Sequence, residues 1–243
     1  TTLIIKALLI ITSRRFNKYK KEAIMIVNTT QDNIEINIDA NQNKIGIKLS
    51  GGLDSAIVAY LICLYIREER PDCTIVPFTV IHGLKPYNLW YASKVKWWLM
   101  KEFPTVQWHK EHFTIHSNGN DYNERMEELQ ETLFKNKTID CKFSGVTANP
   151  PIEVYKQWSP DDPNDEPTPG RDKEKQKKDT SNGRILVNID KQGVAELYKK
   201  YNLMDTLFNV TRTCEETELD PSITPHCGKC WWCEERRWGF GKL

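Results

Sequence analysis

The sequence predicts an α/β fold of parallel βαβ units closed by a small C-terminal metal module. Three observations carry that expectation. Short β-branched or aromatic runs alternate with helix-length stretches from Lys44 onward. The first of these strands runs through a Gly-Gly loop straight into a helix. Four of the seven cysteines fall within the last 30 residues.

The elements follow in order. Ile34, Ile36 and Ile38 alternate with polar residues between Asn28 and Asp39, the period of a half-buried strand, and Asn41, Gln42 and Asn43 make a turn. Lys44–Leu49 is the first core strand, Ser50–Asp54 the loop, and Ser55–Arg70 a helix apolar nearly all round, ended by Pro71. Thr74–Ile81 is a strand in which Pro77 weakens pairing. Asn88–Phe103 reads as a helix, Val106–Ile115 as a strand, Asp121–Asn136 as an amphipathic helix and Asp140–Val146 as a fourth strand. Residues 151–184 hold five of the twelve prolines, eight acidic and seven basic residues. They read as a polar insertion, disordered between Asp161 and Asn182. Ile185–Ile189 resumes as a strand and Lys191–Tyr201 as a helix.

Residues 1–24 look foreign to this pattern. An apolar run from Leu3 to Ile11 precedes most of the basic residues, the reverse of a secretory signal. The expectation is an extension ahead of a start at Met25, with a basic amphipathic helix as the other reading. The chain as a whole has 34 basic and 33 acidic residues, a formal net charge of +1. The first 24 residues carry six basic residues and one acidic, which leaves −4 on the rest. Neither value draws the chain to nucleic acid or an anionic membrane. No stretch approaches the roughly 18–20 apolar residues of a membrane span, and the expected location is cytoplasmic. With 10% aromatic residues the chain has enough large apolar side chains to pack a core. Residues 25–243 are expected to form one domain, its zinc-binding module spanning 205–243.

The segment IGIKLSGGLDS, Ile45–Ser55, carries the chemistry. Gly51 and Gly52 let backbone approach a bulky anion, and a helix N-terminus adds about half a positive charge. Ser50 and Ser55 offer hydroxyls to phosphate oxygens. Asp54 fits beside a phosphate when a Mg²⁺ lies between the two anions. The plain alternative is a Gly-rich turn with a Ser or Asp helix cap.

Cys214, Cys227, Cys230 and Cys233 are spaced C-x12-C-x2-C-x2-C. Four thiolates make the tetrahedral shell of structural Zn²⁺. Disulfides, an iron–sulfur cluster and a thiol-based sulfur-transfer pair use the same residue type. Cys63, Cys73 and Cys141 lie in apolar contexts and read as core.

The string SGGLDS resembles the pyrophosphate loop of the ATP pyrophosphatase (PP-loop) superfamily. Its members split ATP into AMP and pyrophosphate by adenylating a carboxylate, amide or ring oxygen. The resemblance implies a Rossmann-like, doubly wound sheet of the adenine nucleotide alpha hydrolase-like kind, with ATP at the carboxyl ends of the strands. It implies a triphosphate on Ser50, Gly51, Gly52, Leu53, Asp54 and Ser55. Adenine would lie at the end of the second core strand, near Phe78 and Val80, with His82 just beyond.

From Asn188 onward, Lys191, Thr211, Thr213, Cys214, Cys227, Gly228, Cys230, Cys233, Arg236 and Phe240 match the C-terminal pattern of 7-cyano-7-deazaguanine synthases. That resemblance implies a ligase that uses ATP, Mg²⁺ and ammonia to convert 7-carboxy-7-deazaguanine to its amide and then its nitrile. It also implies Zn²⁺ on the four cysteines, catalytic roles for Asp54, Ser55 and Lys191, and a homodimer. The match lapses after Gly145-Val146. There TANPPIEVY stands where the family has a Tyr-Pro-Asp-Cys-Arg type segment, so base-reading residues are not recognisable. A divergent relative that conjugates another acceptor, a protein substrate of an antiviral system included, fits the same residues. So do a tRNA-modifying thiolase or lysidine-type ligase, which the charge of −4 disfavours, and a non-catalytic zinc- and nucleotide-binding interaction protein.

Other residues have two readings. Lys191 reaches a phosphate or is a solvated helix-start lysine. Lys48 alternates with Ile47 and Leu49 and reads as structural. His109, His112 and His116 do not share a strand face, which disfavours a metal site. Asn149 is a substrate contact or a turn residue before Pro150. Trp231, Trp232 and Trp238 stack a base or pack a small module.

Overall fold

The computed structural model describes residues 23–83, 87–116, 121–158, 171, 183–214, 216 and 225–243. The foreign leader up to residue 22 and the stretch expected to be disordered, Arg171 apart, lie outside the described residues.

A five-stranded parallel sheet forms the centre: β3 (Lys44–Lys48), β4 (Thr74–His82), β5 (Gln107–Trp108), β6 (His112–His116) and β7 (Cys141–Phe143). The order is β5-β4-β3-β7, and β6 also pairs with β4. The chain therefore steps outward from β3 to β4 to β5 and β6, then returns to place β7 on the other side of β3. That reversal is the switch point beside which open α/β sheets bind ligands, at the carboxyl ends of their strands.

Helices cover both faces. α1 (Leu53–Glu68) is buried at Leu53 and from Ser55 to Ile66, matching its all-round apolar sequence. α2 (Tyr87–Glu102) packs beside α1 through Tyr60 against Trp98, and α5 (Lys191–Lys200) joins the same layer, its Tyr198 hydroxyl donating to Leu53 O at 2.9 Å. α3 (Tyr122–Lys135) covers the opposite face, over Val76, Phe78 and Ile139.

Four details correct the sequence reading. The strand expected over Asn28–Asp39 is one arm of an antiparallel hairpin, β1 (Ile24–Asn28) with β2 (Asn33–Asn37), apart from the main sheet. Its first arm was hidden because Ile24–Val27 is apolar at every position. Ile24, assigned to the leader, already pairs with Asn37.

The strand expected over Val106–Ile115 is two strands. Trp108 pairs with Ile75 and His112 with Phe78, so four steps on one strand match three on the other. Ile75 O accepts from His109 N on this side. By alternation Pro77 faces it too, with no N–H to give, and the ladder bulges there.

Ile185–Ile189 is a buried turn, not a strand, and Ser144 N donates to Gly183 O where β7 ends. The insertion expected to bury almost nothing begins with a helix, α4 (Ile152–Trp158), whose Tyr155 is buried. Tyr155 and Trp158 pack on Trp231.

Candidate functional site

The loop after β3 enters α1 without a side-chain cap. Gly52 is the N-cap residue and has no side chain with which to cap the helix, Ser50 Oγ accepts from Gly52 N at 3.4 Å, and the Asp54 carboxylate turns elsewhere. The turn-with-cap reading therefore does not describe this loop. Gly51 takes φ +80°, a left-handed conformation natural to glycine. Its carbonyl accepts from Arg212 N at 2.9 Å, tying the loop to the segment that leads into Cys214. Ser50 and Ser55 hydroxyls lie 3.0 Å apart, and Ser55 Oγ also donates to Gly52 O at 3.1 Å. The six predicted phosphate-loop residues thus stand together at the carboxyl end of β3.

Beside them runs the segment after β7. A Cβ on Gly145 would lie 2.4 Å from both the Asp54 carbonyl carbon and Ser55 N, so only glycine fits against the loop. Ser144 and Val146 on either side line a cavity of 180 Å³ with Lys48, Phe78, Phe143, Lys142 and Arg184. Phe78 reaches this cavity; Val80 is buried further along β4 and does not line it. Lys48 Nζ lies 4.9 Å from the Tyr122 ring centre and 2.9 Å from Met126 Sδ. Asn149 is buried, and its backbone N–H donates to Arg171 O at 3.0 Å.

Lys191 is not a solvated helix-start lysine. Asp190 caps α5 by accepting from Gln192 N and Gly193 N, which sets Lys191 at the first helical position with 2% exposure. Its ammonium donates to Asp54 Oδ1 and Oδ2 at 2.7 and 2.6 Å. Asp54 and Lys191, two of the three residues predicted to be catalytic, are 137 positions apart and in direct contact, and Ser55 follows Asp54 in the same helical turn. Glu235 and Arg171, which sequence reasoning missed, adjoin this pair. Glu235 directly precedes the family-pattern Arg236, and its 1% exposure is its one distinguishing signal.

The four cysteines converge. Their sulfurs lie within 4.8 Å of one another, with Cys227–Cys233 and Cys230–Cys214 both at 3.9 Å. A tetrahedral ion with metal–sulfur bonds of about 2.3 Å needs sulfurs roughly 3.8 Å apart, so the donor set fits one. Backbone amides turn onto the thiols, Cys227 N to Cys214 Sγ at 3.3 Å and Cys230 N to Cys227 Sγ at 3.2 Å. Burial opposes ionisation of Cys227. The amides of Lys229 and Cys230 and the neighbouring thiols outweigh it and bring the thiol down to about 7. Burial pushes the Cys214 and Cys233 thiols up. No other metal-ligand group of three or more His, Cys, Asp or Glu occurs among the described residues.

The cluster opens α6 (Trp231–Phe240). Trp231 and Trp232 meet edge to face, while Trp158 contacts both Trp231 and Trp238. These rings pack the module together. Cys63, Cys73 and Cys141 are buried, and burial raises the Cys141 thiol to about 12. No described helix is long and apolar enough to cross a membrane.

No protein-family model and no curated protein matches the chain. Solved structures similar to it include the U34-tRNA thiolase NcsA from Methanococcus maripaludis with its [4Fe-4S] cluster, at 15% identity and a TM-score of 0.43 over 83% of this chain and 71% of that one. NAD+ synthetase from Burkholderia pseudomallei is similar at 11% identity and a TM-score of 0.38, over 84% of this chain and 76% of that one.

Proposed function

We propose that the chain is an ATP-dependent, AMP- and pyrophosphate-forming ligase of the PP-loop kind, which adenylates a carboxylate and displaces AMP with ammonia or an amine. The observation that carries this reading is the uncapped SGGLDS loop at the sheet's switch point, with Asp54 held by Lys191. Loop amides and the Ser50 and Ser55 hydroxyls bind phosphate oxygens. The cavity lined by Phe78 and Phe143 receives the base, and Lys48, Lys142 and Arg184 outnumber Glu127 among the charged residues of its walls.

Asp54 would hold Mg²⁺, which supplies charge neutralisation across the phosphates. A substrate carboxylate oxygen attacks the α-phosphorus, the bond to the bridging β-phosphate oxygen breaks, and pyrophosphate leaves. Lys191 and the loop amides stabilise the departing charge. The amine then forms a bond to the acyl carbon, and AMP leaves with its oxygen.

The C-terminal pattern favours 7-carboxy-7-deazaguanine as the acid, ammonia as the amine and Zn²⁺ as a structural ion on Cys214, Cys227, Cys230 and Cys233. The test is product analysis. ATP with 7-carboxy-7-deazaguanine and ammonium should yield AMP and pyrophosphate in step with an amide or nitrile. AMP no higher than without the base would discard that substrate; ADP as the product would discard the adenylation reading.

A further inference from the structure

Four charged side chains, not two, meet beneath the phosphate loop. Besides Asp54, the Lys191 ammonium lies 3.4 Å from Glu235 Oε2. The other Glu235 oxygen lies 2.5 Å from an Arg171 guanidinium nitrogen. Arg171 is fixed in turn: it donates to Thr147 O at 3.1 Å and to Thr147 Oγ1 and Ala148 O at 3.0 Å. Charges alternate along the row Asp54, Lys191, Glu235, Arg171 and sum to zero.

Glu235 lies two residues past Cys233 on α6, and α6 presses closely on α5. A Cβ on Gly239 would lie 2.7 Å from Lys191 O. At 1% exposure, Glu235 has no water to turn to, and an ionised carboxylate so buried is costly unless paired. Lys191 faces the same constraint. If its only partner were Asp54, a cation drawn to Asp54 would strand a buried ammonium.

We infer that Glu235 is a positioning residue. It holds the Lys191 ammonium in place when Asp54 exchanges that ammonium for a divalent cation, and Arg171, contributed by the polar insertion, holds Glu235. The exchange rests on the ATP reading above; the sharing of Lys191 by two carboxylates does not.

Two measurements on the full chain separate these layers. The first is a thermal-stability cycle without nucleotide, using Asp54→Asn, Glu235→Gln and the double variant. Either carboxylate alone still pairs Lys191. The double variant should therefore lose about 10 °C more in Tm than the two single losses combined. Additive losses would overturn the inference.

The second is steady-state AMP release. Glu235→Gln should lower kcat about 30-fold with the KM for ATP within threefold, and Glu235→Asp should recover most of it. Arg171→Met should act in the same direction and cost nothing further when added to Glu235→Gln. A wild-type kcat in Glu235→Gln, or matched changes in kcat and KM that Asp does not rescue, would overturn it. If the unmodified chain releases no AMP, the ATP reading fails by itself, and the stability cycle alone decides whether Glu235 shares Lys191.

Discussion

Replacing Gly145 by alanine tests whether the segment after β7 presses on the phosphate loop as described. The new methyl carbon would stand 2.4 Å from the Asp54 carbonyl carbon and from Ser55 N, and 2.8 Å from Asp54 O, where ordinary contact begins at 3.4 Å. The overlap is about 1 Å. Both neighbours are backbone in the first turn of a buried helix, so no side-chain rotation relieves it. Overpacking of this kind costs about 3 kcal/mol, the upper part of its usual range. For a chain of this length that lowers Tm by about 6–12 °C. On the proposed reading, relief by moving the loop about 1 Å would misplace the triphosphate, at a cost of about 100-fold in rate. Differential scanning calorimetry and a coupled pyrophosphate assay read the two effects. A Gly145→Ala protein with Tm within 2 °C and turnover within threefold of the parent would refute the packing argument.

Asp54→Ala should abolish AMP formation while the metal content measured by plasma mass spectrometry stays the same, since the cysteine cluster stands on other elements. A chelator strong enough to strip the cluster should lower Tm and the helical ellipticity contributed by α6, and returning Zn²⁺ should restore both; an indifferent melting curve would count against a metal there. In the metal-free chain, Cys227 with its thiol near 7 should be about half thiolate at pH 7 and take iodoacetamide before the other six cysteines, as peptide mass spectrometry would read. Burial, aided by Arg236 and Arg212, lowers His226 from 6.5 to about 3. The unfolded chain therefore takes up a proton near pH 6.5 that the folded chain refuses until about pH 3. Stability present above pH 6.5 should be lost as pH falls through that window, and less steeply in His226→Phe; parallel pH profiles for the two proteins would reject this assignment.

Much of the core was legible because its signals are local. α1 declares itself by apolar residues on every side, and the strand–loop–helix order of Ile45–Ser55 fixes what the loop faces. The cysteine spacing likewise brings ligands together within a short span. What escaped was non-local or masked. Arg171 lies in a segment whose composition argues against any fixed contact, yet it reaches Glu235 across 64 positions. The break between β5 and β6 depends on the side of β4 that Pro77 faces, which strand pairing decides and propensity does not. Ile185–Ile189 has a strand's composition, but its backbone turns beneath the end of β7, where Gly183 already accepts from Ser144. Gly145 was legible only as part of the Gly145-Val146 match, and its close approach to Asp54 and Ser55 was not, because what it touches is the backbone of another segment.

The 137 positions between Asp54 and Lys191 bear on how the chain folds. Closing so long a loop carries an entropy cost before any contact repays it, and parallel pairings add further long-range closures. Gln31 also reaches across 159 positions to Asp190, its amide donating to Asp190 Oδ1 at 2.7 Å and its oxygen accepting from Asp190 N at 2.9 Å. The helix start that presents Lys191 is thus braced from the first hairpin, and the proposed triphosphate site is complete only when the hairpin and α5 have both docked. A kinetic intermediate holding β3, α1 and β4 alone would have the glycine loop but not the lysine. Ligand present during refolding should therefore slow unfolding of the native state while leaving the early folding phases unchanged.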